Sequence, residues 1–319
     1  MVDAQNSTVT DCPIFVVGPL RSGTTMLRLM LDHHPDMNIF GEFECAVSEA
    51  INNQWPSIEH YHAFLKTDRE FADMKLSVDS TLNYEQLVKS FLRQQYLRNP
   101  VKKVGASVHS RMDMLPKIWP QAKFIHLLRD PRDVAKSCIG MGWVGNVHEG
   151  TQYWIKPERH WEALEKSIPE SQRYTVRYED LVAEPEKELS KICDFIGVPY
   201  SDEMLNLEKD TTYSRPDARY ANQWKKKLTP KQISHVEYQC HEMMRTRGYD
   251  IASDKIEKPS MLEMLKIQMQ SRLYRISFNV KRWGFSLWLL FIISKRLGLK
   301  SLKDSCQLRI NKITVRYLK

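Results

Sequence analysis

The chain has 319 residues, of which 42% are apolar, with 47 Lys and Arg against 39 Asp and Glu; this composition is that of a globular protein and excludes a disordered one. Fourteen basic and two acidic residues fall in residues 258–319, leaving 33 basic and 37 acidic residues in 1–257, so the net +8 belongs to the tail and the body offers no general nucleic-acid surface. Six scattered cysteines, with no CxxC pair and no Cys/His cluster, exclude a cysteine-based metal centre and read as reduced packing residues.

The opening residues, MVDAQNSTVTDC, are polar with no apolar stretch of a secretory signal. A reducing, cytoplasmic compartment is therefore expected, and the Asn6-Ser7-Thr8 sequon is expected to be fortuitous. Residues 14–17, IFVV, are short, apolar and β-branched, as in a buried strand. The chain then turns at Gly18 to Gly23, and from Thr24 apolar residues recur at helical spacing: Met26, Leu27, Met30, Leu31. Strand, glycine loop and helix make a phosphate site, because the first helical N–H groups lack partners and the macrodipole adds positive potential. Gly18 and Gly23 have P-loop spacing, but Thr24 stands where a nucleotide-binding lysine belongs. Arg21, Ser22, Thr24 and Thr25 suit a compact anion without a triphosphate tail.

Residues 45–53 continue a helical pattern, residues 54–74 read as irregular or short helices, and residues 84–96 carry Leu87, Val88, Phe91, Leu92 and Tyr96 on one helical face. A strand over 101–106 and a helix over 112–118 precede a second buried strand, 122–128, which runs into Arg129-Asp130-Pro131-Arg132-Asp133 and a helix from Val134. Residues 140–154 are glycine- and aromatic-rich and read as an active-site loop. A helix over 157–167, a strand over 173–177, a helix over 185–196, a loop over 211–224 and a helix over 230–247 complete the body. Alternating strands and helices predict an α/β fold of three layers, a central parallel sheet flanked by helices, with ligands at the carboxyl ends of the strands. Arg21 and Arg129 fall at such ends.

LRSGTT, the helix after it and the downstream Gly41-Glu42 resemble the 5′-phosphosulfate loop of the sulfotransferases, which use 3′-phosphoadenosine 5′-phosphosulfate (PAPS); RSGTTMLRLMLDHHPD is especially similar to the tyrosylprotein branch and its bacterial relatives. LLRDPRDVAKS resembles the family's second signature, the site for the donor's 3′-phosphate, with Arg129 and Ser137 at the matching positions. Tyr178 matches a ring near the nucleotide, and Arg219 or Arg215 matches a basic residue of the segment that closes over the donor. The resemblance covers residues 13–250 and implies a sulfotransferase domain at 1–257, no metal, and a hydroxyl-bearing acceptor, whether lipid, glycan, metabolite or peptide tyrosine.

Sulfuryl transfer needs a base, in-line geometry and positive charge at the leaving group. Arg21 serves the last of these. Glu42 is the first candidate base, Glu44 an alternative because the match slips by one residue, and His109 another, displaced from the histidine that the small-molecule branch carries after a lysine, in a K-T-H arrangement, on the strand before the RD motif. The lysine expected near that histidine is missing, and Ser107 stands in its place. Two rivals to a sulfotransferase are a P-loop kinase, opposed by Thr24, and an inactive nucleotide-binding protein docked on a membrane.

The tail, 258–319, is a basic amphipathic helical extension. Its apolar run, residues 283–293, is too short to span a bilayer, and Trp283 and Trp288 with flanking cations suit a helix lying in a membrane surface. The alternative is packing on the body or on a second subunit, as in a homodimer.

Overall fold

A computed structural model describes residues 9–209 and 211–318; the Asn6-Ser7-Thr8 sequon lies outside them. Two compact units are present. The first comprises Met1–Leu65, Glu70–Asp130 and Trp154–Gln223, and the second Lys66–Arg69, Pro131–Tyr153 and Trp224–Lys319.

In chain order the elements are β1 (Ile14–Val17), α1 (Thr24–Asp32), β2 (Met37–Glu42), α2 (Ile58–Leu65), α3 (Arg69–Met74), α4 (Tyr84–Arg98), β3 (Lys103–Val108), α5 (Leu115–Ile118) and β4 (Lys123–Leu128). They continue with α6 (Pro131–Gly140), α7 (Val147–Gly150), α8 (Gln152–Ser167), β5 (Arg173–Arg177), α9 (Tyr178–Ala183), α10 (Pro185–Ile196), α11 (Trp224–Lys227) and α12 (Pro230–Thr246). The tail forms α13 (Met261–Trp283), α14 (Phe285–Arg296) and α15 (Lys300–Leu318).

The first unit is the expected three-layer α/β arrangement. Its five strands run β2-β3-β1-β4-β5, every pairing parallel. All four residues of β1 are buried, as a central strand with both faces covered requires. Phe15 and Val17 face a cluster with Val104, Phe91, Phe124 and Trp161, while Ile14 and Val16 face Leu27, Met30, Leu31, Ile125 and Ile192. The period of two along β1 thus feeds helices on both sides of the sheet.

Three local readings change. β2 was not anticipated: its apolar alternation is short and Gly41 interrupts it at a bulge, where the register to β3 shifts between Phe40 and Glu42. Residues 45–53 form a 3-10 turn over Glu44–Ala46 and then turns, not a helix. Tyrosine hydroxyls satisfy carbonyls there, Tyr61 donating to Cys45 at 2.8 Å and Tyr84 to Ala46 at 3.0 Å, so the backbone has partners without a helical ladder. Within 140–154, Asn146 caps α7 by accepting from the Glu149 N–H at 3.0 Å, and the loop shrinks to 141–146.

In the second unit a buried ion pair, Arg132 to Glu237 at 2.8 Å, joins α6 to α12. The Arg132 guanidinium lies 3.6 Å from the Trp224 ring centroid, and Glu237 also accepts the N–H groups of Ala252 and Ser253 at 2.9 Å each. Helix α13 is pinned on one face: Ser271 accepts the Gly145 N–H at 2.9 Å, Asn146 donates to the Ile267 carbonyl at 2.8 Å, and Tyr274 donates to the Ile139 carbonyl at 3.0 Å.

All described cysteines are free thiols; five are buried and Cys12 is exposed.

Candidate active site

The glycine loop closes β1 and opens α1 with an uncapped helix start. Gly23 holds the N-cap position at φ 97°, makes no side-chain cap, and the first turn contains no acidic residue. A Cβ on Gly23 would come within 2.6 Å of the Tyr178 ring, so both the backbone conformation and the space require glycine. Ser22 is fully buried and its Oγ has no hydrogen-bond partner among the described residues. A buried hydroxyl left over beside unpaired helical N–H groups fits an anionic ligand. Thr24 is buried, whereas Arg21, at φ 70°, and Thr25 are exposed.

Arg129 is drawn to this loop. Its Nη1 donates to the Arg21 carbonyl at 3.1 Å, its Nη2 to the Tyr220 carbonyl at 3.2 Å, and its guanidinium lies 4.0 Å from the Tyr178 ring centroid. The backbone around it is fixed as well: Trp154 Nε1 donates to the Arg129 carbonyl at 2.9 Å, and Glu179 accepts the Asp130 N–H at 3.0 Å. Arg129, Tyr178 and the Gly23 loop therefore form one stack at the carboxyl edge of the sheet. Tyr220, Trp154 and Glu179 were not anticipated in these roles. The first of them contributes a main-chain carbonyl, which no side-chain pattern reveals.

Arg219 is not part of this stack. Its side chain is 88% exposed and pairs with Asp217 at 2.6 Å. Arg215 is also exposed and pairs with Glu186. Ser137 lies half-buried on α6 in the second unit.

The three candidate bases separate by environment. Past the β2 bulge the Phe43 N–H donates to the Ser107 carbonyl at 2.8 Å, which carries Glu44 alongside the end of β3. There the Glu44 carboxylate accepts the His109 backbone N–H, at a short separation, and the Ser110 hydroxyl at 2.6 Å. Enclosure of the carboxylate pushes its pKa up, against the opposing pull of His109 and of its two hydrogen bonds. Glu42, two residues earlier, is half-buried, and its charge adds to the rise at Glu44.

His109 is buried, and its Nδ1 lies 3.0 Å from the carbonyl oxygen of Gly18. A carbonyl only accepts, so the neutral imidazole carries its proton on Nδ1 and leaves a lone pair on Nε2. The contact ties the imidazole to the first residue of the glycine loop. Ser107, which stands where the resemblance implies a lysine, is buried and its Oγ has no hydrogen-bond partner among the described residues.

Comparison with known proteins gives the family. The family model described as "Sulfotransferase family" matches residues 13–202, more than half of the chain, and the chain belongs to that family. Protein-tyrosine sulfotransferase 1 of Danio rerio is 27% identical over 219 residues, covering 61% of this chain and 56% of that protein. The omega-hydroxy-beta-dihydromenaquinone-9 sulfotransferase Stf3 of Mycobacterium tuberculosis is 24% identical over 300 residues, covering 76% of each. The chain spans about half the length of the first curated relatives it matches, 56% and 52%. Among solved structures, the sulfotransferase domain of the Synechococcus PCC 7002 olefin synthase shares the fold at a TM-score of 0.55 and 22% identity, over 75% of this chain and 94% of that domain.

Proposed function

We propose that the chain transfers a sulfuryl group from PAPS to an acceptor hydroxyl by in-line displacement, with His109 as general base and Glu44 as the residue that positions it. The observation that carries this reading is the 3.0 Å contact of His109 Nδ1 with the Gly18 carbonyl, because it fixes the tautomer of a base against the loop that would hold the donor.

The donor, when bound, supplies the sulfuryl group and leaves as adenosine 3′,5′-bisphosphate (PAP). The α1 N-terminus, Ser22 and Thr24 hold its 5′ end, and Arg21 adds positive charge where the leaving phosphate gains its own. Arg129 takes the 3′-phosphate through charge-assisted hydrogen bonds. Tyr178 presents its ring beside it. His109 Nε2 takes the acceptor proton. Glu44, by gripping the His109 N–H and the Ser110 hydroxyl, holds the segment that carries the imidazole.

A carboxylate base is the second reading, favoured by the raised pKa of Glu44; Glu42 is its variant. The acceptor bears a hydroxyl, in keeping with relatives named for protein tyrosine and for an omega-hydroxy menaquinone.

Calorimetry with PAP, ADP and ATP tests the donor class. PAP should bind tighter than ADP, and Arg129→Ala should lower PAP affinity about 10- to 100-fold, the worth of a charge-assisted bond. Equal affinity for all three nucleotides would remove the 3′-phosphate assignment, and preference for ATP would restore the kinase alternative.

A further inference from the structure

The tail leaves an apolar surface that nothing among the described residues covers. The face of α13 that carries Ile267, Ser271 and Tyr274 is the pinned one. On its opposite side Met261, Leu265, Met269 and Leu273 recur every fourth residue and are all exposed, Met261 by 83%. Helix α14 repeats the pattern with Phe285, Leu289 and Ile293, Phe285 being 62% exposed, while Ser294 faces inward. Two successive helices thus each turn an apolar stripe to solvent, which a monomeric surface rarely tolerates.

The bend between them is built in. Their axes turn by 119° across Gly284, whose φ of 84° and ψ of 149° only glycine adopts readily. No single described helix is long and apolar enough to cross a membrane, and only the bent pair passes on length and composition. Helix α14 alone is about 18 Å long at 1.5 Å per residue, short of the ~30 Å hydrocarbon core. It fits in a bilayer surface, not through it.

Charge selects the occupant. The tail carries 14 basic residues and 2 acidic ones. Lys295 and Arg296 end α14, and Lys300, Arg309 and Lys312 outnumber the single acid, Asp304, along one shallow groove of α15. Two copies of so cationic a segment repel each other, whereas an anionic surface attracts it. Trp288, with its amphipathic ring beside Phe285, is the side chain that favours a water–lipid boundary. We infer that α13 and α14 dock the protein on an anionic lipid bilayer, their apolar stripes entering the interface and the basic residues of α14 and α15 meeting lipid phosphates. This inference does not depend on the sulfuryl-transfer reading, which PAP calorimetry decides separately.

The test is co-sedimentation of the full chain with phosphatidylcholine vesicles prepared with and without phosphatidylglycerol. The parent chain should pellet with the anionic vesicles and be released by raised salt, and Leu289→Asp with Ile293→Asp should lower the partition coefficient about tenfold or more. Equal recovery with both vesicle types, or a double variant that pellets like the parent, would overturn the inference. So would light scattering that finds a dimeric parent and a monomeric variant, since the stripes would then be a self-association face. Should the variant lose its fold, brominated-chain lipids decide with the parent alone. They should quench tryptophan emission, less so in Trp288→Phe, and unchanged emission would count against docking.

Discussion

Single side chains set the chemistry of the site, and His109 is the one whose environment says most. Its Nδ1 is committed to the Gly18 carbonyl, so a replacement that keeps a donor and removes the ring lone pair separates positioning from proton transfer. His109→Asn should lower kcat about 10²- to 10⁴-fold, the usual worth of a general base, with PAP affinity unchanged; an active His109→Asn enzyme would return the role to Glu44 or Glu42. Glu44 is tested through pH. Because folding raises its pKa, the folded chain holds that proton more tightly than the unfolded one, and stability falls as pH rises above the ordinary carboxylate range. Thermal melts of Glu44→Gln should show a flatter decline across that interval than the parent, and an identical slope would mean that the enclosure of Glu44 has no thermodynamic weight. The glycine loop and Arg129, which the structure brings together, were legible in the sequence because glycine spacing and an arginine at a strand end are local signals. Ser110 was not, since its partner Glu44 lies 66 positions away. Arg219 stands outside the stack, with Asp217, two residues before it, holding its guanidinium.

Among the elements, those that could be read were the ones whose periodicity is set within the element itself. β1 and β4 are short, mostly apolar runs, β5 carries the β-branched pair Thr175-Val176, and α4 and α10 keep a continuous apolar face. β2 could not be read because its bulge breaks the period, and residues 45–53 were mistaken for helix because their burial is imposed by α2 and α4 through tyrosine hydroxyls. α6 and α12 depend on each other through Arg132 and Glu237, which are 3% and 0% exposed at the side chain. Glu237→Ala leaves the guanidinium buried without its carboxylate and strips acceptors from Ala252 and Ser253. It should cost about 3–5 kcal/mol in urea unfolding, the range for breaking a buried pair. A change below about 1 kcal/mol, as for a surface pair, would show that this pair is hydrated in solution.

At the scale of the whole molecule, the sheet order connects where the glycine loop sits with when it can form. β1 is the first strand in the sequence and the middle one in the sheet: Ile14 pairs with Gly105 on one side and with Lys123 on the other. Both partners are far downstream, and closing such distant pairs is slow relative to forming local helices. During synthesis the Ile14–Val17 segment therefore waits with both hydrogen-bonding edges bare and all four side chains apolar, the profile of a strand that pairs with whatever is nearby. The glycine loop at its end gains its Arg129 contact only after β4 has been made, since Arg129 follows that strand directly. A chain arrested before β4 would thus expose a sticky β1 whose glycine loop lacks its arginine.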